Sequence, residues 1–344
     1  MRKILITLLL CIAWSPVRAV PVEPADVGDL PGQFDLPEGS PKAVVILVHG
    51  SGTHSRDEDL TAVTEGGVRN LFFADLSSAL TGQGLAVLRY DKRNYALTQA
   101  EPRDEEALQK LKQHPGQTYI ADARAALESA RRHFPGIPVA LLGHSEGTWV
   151  ALQAAAQDGE VSAVGLISFS GAALETLVQE QVAHRYRDYF DGFDVDRDGK
   201  LDASEQPDSL AKQLPVIDLD QDQAISYSEF QAGNYSNVVL TPIISDGWRS
   251  DEGTLPTATR LVTESADQLL FFQGLWDNQT PAYYTQALEI CERQVWKKGN
   301  KSFHYFERAG HALDPRKSWG DVTYRPTPPE TLERVAKAMA EALD

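Results

Sequence analysis

Gly143-His144-Ser145-Glu146-Gly147 follows the apolar run Ile137-Pro138-Val139-Ala140-Leu141-Leu142 and precedes Trp149-Val150-Ala151-Leu152. An apolar strand therefore runs into a glycine-flanked serine, and a helical stretch leaves it. A serine hydroxyl is a weak nucleophile until a tight turn presents it and a base reaches it. Glycines two residues either side permit that turn, because a side chain at either place would meet the neighbouring strand or helix. The same turn leaves the Glu146 N–H at a helix N-terminus, aimed where an oxyanion develops. Glu146 is thus expected to act through its backbone.

Three further stretches supply partners. Ala43-Val44-Val45-Ile46-Leu47-Val48 ends in His49-Gly50-Ser51-Gly52, a turn whose Ser51 N–H is the second oxyanion donor. Leu269-Leu270-Phe271-Phe272-Gln273-Gly274 leads to Asp277, and Phe303-His304-Tyr305-Phe306 leads to Gly310-His311. Each candidate stands at or just beyond the C-terminal end of a strand, where ligands gather in parallel sheets. The chain order Ser145, Asp277, His311 is that of a nucleophile-elbow hydrolase. Asp91 is a rival acid, but it precedes the serine.

Together these residues resemble the α/β-hydrolase superfamily over about residues 40 to 344, apart from an insert. His49-Gly50-Ser51-Gly52 with Arg56-Asp57, Leu88-Arg89-Tyr90-Asp91-Lys92-Arg93 and the elbow are similar to secreted esterases related to dienelactone hydrolases and serine peptidases. The resemblance implies an α/β fold with a mostly parallel central sheet flanked by helices. It also implies a Ser145 nucleophile, a His311 base oriented by Asp277, and oxyanion donors at Ser51 and Glu146. Substrates would be small-molecule esters or peptide-like compounds, and no redox cofactor is needed.

Residues 1–19 read as a secretory signal peptide: Arg2-Lys3 is basic, Ile4 to Trp14 is apolar but short, and Val17-Arg18-Ala19 offers small residues for cleavage. The expected location is secreted or periplasmic, with no stable membrane anchor after cleavage. Cleavage removes Arg2, Lys3 and Arg18 and no acid, so the net charge of −17 becomes −20. Such a surface repels nucleic acid and anionic membrane. One cysteine remains, Cys291, in an amphipathic helical stretch and expected to be a buried apolar side chain rather than a nucleophile.

The hydrolase core is assigned to 20–171 and 263–344, and 172–262 form a mainly helical cap insert. Within it, Asp194-Val195-Asp196-Arg197-Asp198-Gly199-Lys200-Leu201-Asp202-Ala203-Ser204-Glu205 matches the twelve-residue EF-hand loop. Asp194, Asp196, Asp198, Asp202 and Glu205 would supply carboxylates and Lys200 its carbonyl, with Gly199 making the sharp turn. The pattern recurs over 218–229 with Asp218, Asp220, Asp222, the Ala224 carbonyl, Ser226 and Glu229. Leu201 and Ile225 are placed to join the loops through a short strand pair. Gln223 stands where glycine is expected and needs a left-handed backbone, costing roughly 1 kcal/mol. Tyr186, Phe190, Phe193 and Leu210, Leu214, Ile217 form apolar faces before the loops, and Pro207 and Pro215 shorten the intervening helices. The implied cofactor is Ca²⁺, structural and acting on activity through cap order.

Elsewhere, residues 20 to 31 read as a Pro-rich acidic linker and Gln33 to Leu36 as an edge strand, while His54, Asp57, Glu58 and Asp59 read as a solvated loop. His49 and His144 are expected to satisfy local backbone groups, and His114, His133, His184 and His304 show no ligand-like partners. Three functions fit: a carboxylesterase, an aminopeptidase or amide hydrolase with the same triad, and a non-catalytic calcium-binding protein on a hydrolase scaffold.

Overall fold

The computed structural model describes residues 21–184, 186–240 and 244–344. The leader read at 1–19 lies outside the described residues. The main sheet contains β1 (Val22–Val27), β2 (Leu30–Asp35), β3 (Val44–Val48), β4 (Ala86–Tyr90), β5 (Val139–His144) and β6 (Ala163–Ile167). An insert follows with the two-residue strands β7 (Lys200–Leu201) and β8 (Ile225–Ser226), before β9 (Gln268–Gly274) and β10 (Lys301–Phe306) complete the sheet.

The sheet order is β1-β2-β4-β3-β5-β6-β9-β10. Neighbours from β4 to β10 run parallel, whereas β1 and β2 form an antiparallel hairpin at one edge. Residues 22–27 are thus strand and not linker. Ala25 and Val27 are buried against the sheet, and Pro24 is tolerated because an edge strand has spare N–H positions.

Strand periodicity divides the core in two. Val44, Ile46 and Val48 pack beneath the helices Pro115–His133, Glu146–Asp158 and Ala258–Glu264. Ala43, Val45 and Leu47 face the helices Phe72–Gly82 and Pro329–Leu343 on the other side. With both faces covered, each central strand must be apolar at every position, which explains the unbroken runs in the sequence.

The insert between β6 and β9 has a small core of its own: Phe190, Leu201, Leu210, Ile217, Ile225 and Phe230. Leu201 pairs with Ile225 across the antiparallel β7–β8 ribbon, as their matching positions predict. The helices Asp208–Ala211 and Leu214–Ile217 are one turn each, with Pro207 at the N-cap of the first and Pro215 in the opening turn of the second. The end of the segment assigned to the cap behaves differently: Trp248, Ala258, Leu261 and Val262 pack into the main core. Cys291 is partly buried at the end of the helix Tyr283–Cys291 rather than fully buried.

Candidate active site

Ser145 lies between β5 and the helix Glu146–Asp158 with φ 54° and ψ −121°. Such a backbone costs of order 1–3 kcal/mol and persists only when its surroundings impose it. The flanking glycines show how it is imposed. A Cβ on Gly143 would lie 2.2 Å from the Gly147 carbonyl oxygen, and one on Gly147 would lie 2.2 Å from that of Val48. The Ser145 N–H is tied to the Ile167 carbonyl at 2.9 Å, and the Thr148 hydroxyl donates to the Ser145 carbonyl at 2.6 Å.

Asp277 and His311 meet as their positions after β9 and β10 require. His311 Nδ1 lies 3.1 and 3.0 Å from the two Asp277 oxygens, and both residues are buried. Asp277 also accepts the N–H groups of Gln279 at 2.9 Å and Thr280 at 3.0 Å, and the Thr280 hydroxyl at 2.7 Å. Burial opposes ionisation of Asp277, but His311 and these donors outweigh it, and its pKa falls well below the usual carboxylate range. Burial also holds the His311 pKa below 6.5 despite Asp277. His311 is therefore a neutral base at pH 7, with the Nδ1–H turned to Asp277 and Nε2 left as the acceptor. Among the described residues no hydrogen bond joins Ser145 to His311; such contacts are often long before substrate binds. Thr280 escaped the sequence reading, although the Asp-x-x-Thr spacing of 277–280 signals a side chain folding back onto its own loop.

A second pair lies against the first. The His144 and His311 rings are 4.9 Å apart, and His144 Nε2 lies 3.1 Å from the His311 carbonyl oxygen, which also accepts the Ser168 hydroxyl at 2.5 Å. His144 Nδ1 lies 2.6 Å from Glu58 Oε1. Glu58 is thus 1% exposed rather than solvated, and His144 reaches well beyond local backbone. Burial disfavours both charges, yet each offsets the other: Glu58 falls to about 2 and His144 rises above 6.5. When protonated, the His144 ring can donate both N–H groups, one to Glu58 and one to the loop carrying His311.

A cleft of about 520 Å³ opens over the serine. Ser51, Ser145 and Thr280 line its polar side, and Leu174, Leu177, Val178 and Trp248 its apolar side. Among the described hydrogen bonds none uses the Ser51 N–H. Glu146 does more than offer its backbone: its carboxylate pairs with the buried Lys92 ammonium at 2.8 Å. Lys92 Nζ also donates to the Gly50 carbonyl at 2.6 Å and lies 4.6 Å from the Tyr119 ring centroid. The rival acid Asp91 is occupied by Arg56, through its backbone N–H at 2.9 Å and its guanidinium at 3.0 and 3.1 Å. His114 and His133 do have partners, Asp251 and Glu23.

Residues 39–225, more than half of the chain, match the profile of the family described as serine aminopeptidase, S33. The chain belongs to that family. It is a serine hydrolase of the α/β type. Esterase EstD of Thermotoga maritima is 30% identical over 159 residues, 46% of this chain and 34% of the relative. Human monoglyceride lipase is 28% identical over 133 residues, 38% of this chain and 36% of the relative. The hydrolase thus spans about a third of the length of these curated relatives. The fold resembles TT1662 of Thermus thermophilus, with a TM-score of 0.53 at 18% identity over 95% of this chain and 99% of that one. It also resembles Est1E of Butyrivibrio proteoclasticus with ferulic acid bound, with a TM-score of 0.51 at 15% identity over 93% and 98%.

The hydrolase's insert presents two like-built acidic loops. Carboxylate oxygens of Asp194, Asp196 and Asp198 lie within 4.8 Å of one another, as do those of Asp218, Asp220 and Asp222. Glu205 accepts the N–H groups of Val195, Asp196 and Asp202, and Glu229 those of Leu219, Asp220 and Ser226. Backbones are left-handed at Arg197 and Gly199 in the first loop and at Gln221 and Gln223 in the second. Asp194 Oδ1 is buried without a hydrogen-bond partner. The Lys200 ammonium crosses between the loops to pair with Asp222.

Proposed function

We propose that this hydrolase cleaves carboxylic esters by a Ser145-His311-Asp277 triad through an acyl-enzyme. The contact between His311 and Asp277 supports the reading, because it leaves a neutral imidazole beyond β10, at the carboxyl ends of the parallel strands where Ser145 also follows β5. His311 takes the Ser145 proton as the hydroxyl attacks the ester carbonyl. The tetrahedral oxyanion accepts the N–H groups of Ser51 and Glu146. His311 then protonates the leaving alcohol, and water repeats the sequence to release the acid. The apolar cleft side suits an apolar acyl or alcohol portion.

The family description favours an aminopeptidase as the second reading. A substrate's free α-ammonium would need an unspent acid in the cleft. Glu146, the acid among the described lining residues, is already paired with Lys92, which supports the ester.

The two acidic loops fit Ca²⁺. They gather hard oxygen donors at EF-hand spacing, and the partnerless, buried Asp194 Oδ1 is an oxygen for which a cation would compensate. Asp194, Asp196, Asp198, the Lys200 carbonyl, Asp202 and Glu205 would hold one ion. Asp218, Asp220, Asp222, the Ala224 carbonyl, Ser226 and Glu229 would hold the other. Bound calcium neutralises carboxylates that otherwise repel. Its effect on catalysis would pass through Tyr186, which lines both the cleft and the groove within the insert. With the leader at 1–19, the proposed setting is secreted or periplasmic, where calcium modules typically bind at about 10⁻⁴ to 10⁻³ M.

Turnover of p-nitrophenyl esters beside aminoacyl p-nitroanilides tests this, with wild type and Ser145→Ala, each with calcium and with a chelator. Ester turnover should vanish in Ser145→Ala, exceed anilide turnover in the wild type and decline on chelation. Folded, calcium-loaded protein that cleaves neither class overturns the enzyme reading and leaves the calcium-binding scaffold.

A further inference from the structure

We infer that Lys92 is a positioning residue that holds the oxyanion hole formed, by locking the Gly50–Ser51 peptide plane. The inference rests on the ester-hydrolase reading above. Gly50 O and Ser51 N–H belong to one peptide group. In a planar trans peptide these two bonds point in opposite directions, so fixing one aims the other. The Gly50 carbonyl accepts the Lys92 ammonium at 2.6 Å. Ser51 and Ser145 line the same cleft, and the Ser51 N–H is not used by any described hydrogen bond. With the carbonyl held on the Lys92 side, the N–H is directed away from Lys92 and stays free for substrate.

Three observations argue that this is more than a buried ion pair. The turn is flexible by composition: Gly50 and Gly52 flank Ser51, Gly52 has φ 105°, and Ser51 itself is exposed. Without an external tie its peptide could rotate and present the carbonyl to the cleft. Lys92 is itself held. It lies two residues beyond the end of β4, its backbone N–H donates to the His54 carbonyl at 3.1 Å, and its ammonium lies 2.8 Å from Glu146. Glu146 carries the other oxyanion donor. One ammonium therefore touches both the peptide group that carries the Ser51 N–H and the side chain of Glu146. A hydrogen bond from a cation to a peptide carbonyl also polarises that peptide and makes its N–H a better donor.

The effect should appear in the transition state and leave ground-state binding alone. Losing one oxyanion donor costs about 10²–10³ in kcat, and misaiming one should cost roughly 10–100-fold. Lys92→Met is measured for kcat, KM and the affinity of a trifluoromethyl ketone, which adds Ser145 as a tetrahedral oxyanion. The prediction is a kcat loss of that size, KM within about threefold, and ketone affinity falling in parallel with kcat/KM. If Lys92→Met does not fold, Lys92→Met with Glu146→Gln leaves no uncompensated charge and carries the same prediction.

A structure of the wild-type protein with the ketone bound tests the same geometry even if neither variant folds. It should show Lys92 Nζ on the Gly50 carbonyl and the oxyanion within hydrogen-bond distance of Ser51 N. Folded variants with wild-type kcat and ketone affinity, or an oxyanion held away from Ser51, overturn the inference. Ester turnover that persists in Ser145→Ala instead overturns the reading on which it rests.

Discussion

The elbow around Ser145 and the acidic loops of the insert both hold non-glycine residues at positive φ, but for opposite reasons. At the elbow the strain is imposed by packing: Gly143, Gly147, Val48 and Ile167 close on the turn from backbone to backbone. No ligand is needed to form it. In the loops Arg197, Gln221 and Gln223 are left-handed on a largely exposed surface, turned around carboxylates that repel one another. On the calcium proposal, the compensation there comes from a bound cation. Strain at an active site can be a property of the fold, whereas strain in the acidic loops would then be a property of their calcium complex.

That contrast orders the expected effects. The largest is Gly147→Ala, whose Cβ would meet the Val48 carbonyl oxygen at 2.2 Å and the His49 carbonyl oxygen at 2.5 Å. Because these are backbone atoms of a central strand and its loop, no side chain can give way. Expression should collapse or activity be lost, and a thermal melt beside an ester assay checks it. A stable, active Gly147→Ala protein would mean the elbow does not depend on this packing.

Calcium removal comes next. An ion at a hundredfold excess over Kd stabilises its folded site by about 2.7 kcal/mol. A chelator should therefore melt the insert early while the sheet persists, visible in calorimetry as a low-temperature transition separating from the main one. A single transition unmoved by calcium would break the comparison. The smallest effect is Gln223→Gly, which relieves about 1 kcal/mol of left-handed strain and should tighten the second site about fivefold by titration calorimetry. Unchanged affinity would mean the second loop is limited elsewhere, with the Lys200 ammonium on Asp222 the next group to test.

What could be read from the chain tracks how local each feature is. The elbow is five consecutive residues, the acidic loops are twelve each, and their fixed offsets are visible without coordinates. The approach of Asp277 to His311 was legible because parallel strands deliver both to the same sheet edge. Glu58–His144 and Lys92–Glu146 were not, because their partners lie 86 and 54 residues apart and no pattern announces the pairing. Strand β1 was missed because Pro24 and its acids resemble a linker, and an edge strand needs apolar residues on one face only. The packing of Asp246–Thr254 and Ala258–Glu264 into the main core was not legible either, because both precede the strand where the sheet resumes.

The most direct test of the account labels the calcium-loaded protein with a fluorophosphonate and maps the adduct by mass spectrometry. The prediction is one adduct, on Ser145, lost in His311→Ala. No adduct on folded protein, or one confined to another serine, would contradict the triad and with it the function proposed for this hydrolase.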